Sequence, residues 1–126
     1  MIRYPGILSS ELKRQIRSSF EEALSSVDAD DAAYVEKKSQ RVIKRLIHTD
    51  DWHADLGRLA DAFLRELESH DLEGGEGSID GVATILCAAL FYLCNPFDVI
   101  PDHDAGRGYL DDAYVFDLSL DRLARS

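Results

Sequence analysis

The chain is short of proline, cysteine and cations, and it has no long apolar run. Three prolines and eight glycines in 126 residues exclude a collagen-like, Pro-rich or wholly disordered chain. The two cysteines, Cys87 and Cys94, sit seven residues apart in an apolar stretch that reads as helix. At about 1.5 Å rise per residue their Cα atoms would lie roughly 10 Å apart, whereas a disulfide needs less than about 7 Å. They therefore read as structural thiols suited to a reducing cytoplasm. The longest apolar stretch, Val82 to Cys94, is 13 residues, against the ~20 that a membrane-spanning helix needs. Met1 to Gly6 turns straight into a charged amphipathic segment without the pattern of a secretory leader. Against 14 Lys and Arg stand 24 Asp and Glu, a formal net charge of -10. Taken whole, such a chain repels nucleic acid and anionic surfaces. The expectation is a cytoplasmic protein that does not bind nucleic acid directly.

What is present points to one all-α domain, 1–126, with a core of ordinary size. No strand-like alternation and no internal repeat is visible. Leu8, Leu12, Ile16, Phe20 and Leu24, joined by Ala23 and Val27, recur at helical spacing, with Ser9 or Ser10 as N-cap. An acidic break is expected at Asp28 to Asp31. A second helix carries Val35, Val42, Ile43, Leu46 and Ile47, and a third carries Trp52, Leu56, Leu59, Ala60, Phe63, Leu64 and Leu67. At 100° per residue the two stripes differ in direction by roughly 130°. One straight helix would face two cores, so a break near His48 is predicted, with Thr49 as N-cap and Asp50 and Asp51 in the first turn. These three helices fill 1–70, and Asp71 to Gly77 reads as a loop. Ser78 then caps a helix over about 79–94 that is apolar all round and belongs at the centre of a bundle of about five helices. Asn95-Pro96 ends it, and a last amphipathic helix runs from near Leu110 towards Ala124.

Between the last two helices stand Asn95, Pro96, Phe97, Asp98, Val99, Ile100, Pro101 and Asp102, followed by Gly108, Tyr109, Leu110, Asp111 and Asp112. This NPFDVIPD-to-GYLDD pattern, with the apolar helix ending in Tyr92-Leu93 before it, resembles the YkvA-like family, a small bacterial domain of unknown function. The resemblance spans roughly Ile79 to Leu120 and implies an all-helical fold with a helical hairpin over 79–124 at its centre. It implies no activity. Where the family usually has an apolar stretch after the Ile-Pro-Asp, this chain has the polar linker His103 to Arg107, which weakens any implied membrane association.

The hairpin is rich in carboxylates: Asp98, Asp102, Asp104, Asp111, Asp112, Asp117 and Asp121. Asp98, Asp102, Asp111 and Asp112 together would offer the oxygen ligands that Mg²⁺ or Ca²⁺ prefers, and His103 would add a nitrogen for a transition metal. That is the route to a divalent-metal protein or enzyme. Capping is the simpler account. Asp98 suits an Asx turn, Asp111 or Asp112 the start of the last helix, and neither needs an ion. The spacing fits neither an EF-hand nor a His-Glu-x-x-His zinc motif. His48, His53, His70 and His103 are scattered, and His53 beside Asp51 or Asp55 lacks a nucleophile. No catalytic residue is assigned and no cofactor is expected.

Lys37, Lys38, Arg41, Lys44 and Arg45 form a basic stripe, with Lys37, Arg41 and Arg45 at successive i+4 positions. Lys13, Arg14 and Arg17 mark the first helix. The stripe would suit an anionic partner or a membrane surface; the plainer account is a solvated face neutralised by neighbouring acids. Charge is unevenly spread. Up to Thr49 there are 9 cations against 7 acids, and from Asp50 onward 5 against 17. Head-to-tail self-association is compatible with that polarity, and a homo-oligomer is one expected partner state. The reading reached is a non-enzymatic interaction or accessory module with a protein partner. A metal-dependent protein and a peripheral membrane module are the rivals.

Overall fold

The computed structural model describes residues 9–69, 81–94 and 110–125. Among them run five helices and no strand: α1 (Ser10–Ser26), α2 (Ala29–Ile47), α3 (Trp52–Ser69), α4 (Gly81–Cys94) and α5 (Leu110–Arg125). The all-α expectation is borne out. Ser9 caps α1 by accepting the Leu12 N–H at 3.1 Å. Ile16 and Phe20 are the fully buried side chains of its stripe.

The acidic break before α2 is narrower than predicted. Only Val27 and Asp28 separate α1 from α2. Asp28 accepts the Asp31 N–H at 3.0 Å and donates its own N–H to the Asp31 carboxylate at 3.0 Å. This reciprocal capping box satisfies two backbone donors at once, so Ala29 to Asp31 begin the helix.

The break between α2 and α3 is where the change of stripe direction puts it, but its cap is a different residue. Thr49 closes α2 instead of opening α3: its hydroxyl and its N–H both donate to the Leu46 carbonyl, at 2.7 and 3.1 Å. Asp51 opens α3, with its Oδ1 accepting the His53 N–H at 3.0 Å. Asp50 and Asp51 therefore precede α3, and Asp55 is the acid of its first turn.

Helix α2 buries Ala32, Val35, Ser39, Ile43 and Leu46, a run at i+3 and i+4 that includes two small residues the apolar pattern passes over. The Ser39 hydroxyl satisfies itself on the Val35 carbonyl, so it is buried without an orphaned polar group. Gly57 of α3 lies against the end of α2. A Cβ at position 57 would lie 2.9 Å from the Ile47 backbone nitrogen and 2.9 Å from Leu46 Cβ. Gly57→Ala is therefore expected to destabilise the protein by up to about 2 kcal/mol, the overpacking cost of about 1–3 kcal/mol less the roughly 1 kcal/mol that alanine gains in helix propensity. Thermal unfolding checks it: a raised melting temperature would show that the two helices separate freely.

Helix α4 is the hub. Residues Ala83 and Ile85 to Leu90 are buried without interruption, followed by Tyr92 and Leu93. It touches each of the other four helices, while α2 meets α3, α3 meets α5 and α5 meets α1. The order round α4 is thus α2, α3, α5, α1, as an all-round apolar helix requires. Phe63 of α3 and Phe116 of α5 close one seam, with ring centroids 4.7 Å apart at 49°. Neither cysteine is in a disulfide; Cys87 is buried and Cys94 half-buried. Burial first, then the charges of Asp31, Asp28 and Glu36, pushes the Cys87 thiol up to about 12. That makes it a packing residue rather than a nucleophile.

Candidate functional site

Two groups of charged residues come into view, one buried at the α4–α5 junction and one exposed on α2. Asp111 and Asp112 are not caps outside α5 but residues of its first turn, and both are completely buried. Asp111 accepts the Tyr92 hydroxyl at 3.1 Å from α4 and the Asp112 N–H at 3.0 Å. A carboxylate there faces the positive end of the helix dipole, and the tyrosine hydroxyl ties α5 to α4. Tyr92 belongs to the helix ending that carries the family resemblance, but nothing in the sequence pairs it with Asp111. Asp98, Asp102 and His103, the other metal candidates, lie outside the described residues. So do Asn95, Pro96, Ile100, Pro101, Gly108, Tyr109 and His70. Among the described residues no three His, Cys, Asp or Glu side chains are grouped so as to hold a metal ion. Asp117, set in the apolar arc of α5, is half-buried.

Residues 82–118, from α4 into α5, match the family model described as a protein of unknown function, DUF1232. The YkvA-like resemblance is borne out over that segment. No curated protein and no solved structure matches the chain. The DUF1232 segment thus supplies the central helix, the buried acidic pair and most of α5, while α1 to α3 lie before it.

The basic stripe lies outside the DUF1232 segment. Lys37, Lys38, Arg41, Lys44 and Arg45 are all exposed, on the side of α2 opposite its buried run. Tyr34 falls on the same side and is 43% exposed, with its ring 6.1 Å from that of Phe91. Sequence reading passed over it, although it stands three residues before Lys37, on the same stripe. The expected neutralisation by neighbouring acids is not seen among the described residues. Glu36, the one acid within the run, is half-buried on the α3 side. Burial and, second, the Glu68 charge hold its pKa above the ordinary value. Two acids of α3 are engaged within their own helix, Asp55 with Arg58 at 2.5 Å and Asp61 with Arg65 at 2.9 Å.

The arginines of α1 and α5 have partners. Arg14 pairs with Glu11 at 2.8 Å, Arg122 with Glu21 at 2.6 Å, and Arg125 with Asp121. Arg17 donates to the Tyr114 hydroxyl at 2.9 Å, and Lys13 lies over the Tyr114 ring. A groove of about 290 Å³ between α1 and α5 is lined by Arg17, Arg122 and Arg125, but these guanidiniums are already engaged by those side chains.

His53 and Asp51 do meet, with Nδ1 and Oδ1 2.7 Å apart. The hydrogen bonds from the His53 side chain and backbone hold the Asp51 carboxyl below its ordinary pKa. The His53 ring stacks on Trp52 at 3.9 Å. This arrangement caps α3.

Proposed function

We propose that the chain is a non-enzymatic interaction module that docks on an acidic partner surface through the exposed face of α2. The observation that carries this reading is the contrast between cations. Lys37, Lys38, Arg41, Lys44 and Arg45 have no carboxylate within ion-pair distance among the described residues, whereas the arginines of α1, α3 and α5 are engaged with carboxylates or, for Arg17, a tyrosine hydroxyl. In a chain with ten more acids than cations, unneutralised positive charge on one helix is a surface prepared for an external anion. Two cysteines outside any disulfide are consistent with residence in a reducing cytoplasm.

Chromatography tests the reading directly. At pH 7 and low salt the protein is expected to bind a sulfonate cation-exchange resin despite its net charge of -10, and to elute as salt screens the face. A variant with Lys37, Lys38, Arg41, Lys44 and Arg45 all changed to Gln is expected to flow through. Flow-through of the unmodified chain, or equal retention of both, would overturn the reading.

A further inference from the structure

The acidic surface that fits this face is an anionic phospholipid bilayer, we infer, with Tyr34 entering the headgroup layer beside the cations; this rests on the docking reading above. Shape comes first. Tyr34, Lys37, Lys38, Arg41, Lys44 and Arg45 lie on one side of a single helix over roughly 16 Å, and present a convex ridge rather than a groove. A bilayer needs no matching concavity, because its lipids diffuse to meet each cation. Composition points the same way. A protein–protein interface is built on a desolvated apolar centre with aromatic anchors, but among the described residues Tyr34 is the only large hydrophobic side chain that is exposed. Cations flanking an amphipathic aromatic ring are instead what a headgroup layer accepts. Tyr34 touches Phe91 on one side and keeps 43% of its surface exposed, so it is held at the face while its free side remains accessible.

Charge distribution separates a bilayer from a nucleic acid. The excess acid of this chain lies from Asp50 onward, beyond α2. A planar surface meets one face and leaves the rest beyond a Debye length of about 8 Å. A flexible polyanion that wrapped the protein would meet the acidic remainder. No helix among the described residues is long and apolar enough to cross a membrane, so the attachment is peripheral and reversible.

The test is co-sedimentation of the full chain with vesicles of phosphatidylcholine alone or with about 30% phosphatidylglycerol, at about 50 mM and about 500 mM salt. The expected result is binding only to the anionic vesicles and only at low salt. The fivefold Gln variant is expected to lose more than about 100-fold in partitioning. Tyr34→Ala is expected to lose about 3-fold on vesicles while keeping its retention on the sulfonate resin, a split that a generic anion site does not produce. Resin retention without vesicle binding overturns this inference and leaves the docking reading standing, whereas loss of both overturns both. Equal vesicle binding by the fivefold variant, or tighter binding to a DNA duplex than to vesicles at the same salt, also overturns it.

Discussion

Phe116→Ala is expected to lower the unfolding free energy by about 3–5 kcal/mol and the melting temperature by about 10–20 °C. Phe116 has no exposed surface and is among the largest fully buried side chains. Its ring meets Phe63 at 4.7 Å, so its removal takes away apolar burial and an aromatic pair together. The seam between α3 and α5 is the sparsest of the helix contacts around α4, which leaves few neighbouring side chains able to collapse into the space. Phe63→Ala probes the same pair from the other side, and the double variant is expected to be less damaging than the two costs added together. Calorimetry with matched denaturant titrations measures all three. Strict additivity would show that the rings contribute independently.

Asp111→Ala is expected to destabilise by about 2–3 kcal/mol. The substitution removes a buried carboxylate that accepts from the Tyr92 hydroxyl and the Asp112 N–H, and hydrogen bonds to charged groups contribute about 1.5–3 kcal/mol. It also removes negative charge from the first turn of α5, where the helix dipole favours it. Tyr92→Phe deletes the same inter-helix bond from the other side and is expected to cost about 1 kcal/mol. A double-mutant cycle should then give a coupling of about 1 kcal/mol between them. A coupling near zero would mean that the buried acid serves the N-terminus of α5 without linking it to α4.

Features of the sequence that depend on one helix at a time were legible in it. An all-round apolar helix has no solvent face, so the central place of α4 follows from its residues alone. The change of stripe direction after His48 likewise located the α2–α3 break. The choice of cap was not legible, because Thr49, Asp50 and Asp51 are all able to cap and only the direction in which α2 ends decides among them. The requirement for Gly57 was hidden for a similar reason. A glycine in a helix interior reads as a propensity cost, and the space it vacates belongs to Leu46 and Ile47 of the preceding helix. Asp111 or Asp112 read as a capping acid of the last helix. Their complete burial comes from the packing of α5 on α4. The basic stripe was plain from its i+4 spacing, but its lack of carboxylate partners among the described residues depends on where Glu36, Asp55 and Asp61 turn in three dimensions.

The order of helices around α4 bears on how the chain is made. Among the described residues α1 meets only α4 and α5, both of which are synthesised after it. Helices α2 and α3 can form a hairpin as soon as they leave the ribosome, but Ile16 and Phe20 of α1 then still lack their partners. Their partners are complete only when α4 and α5 have emerged. Of the five described helices, α1 is thus the one whose apolar side waits longest for its partners during translation.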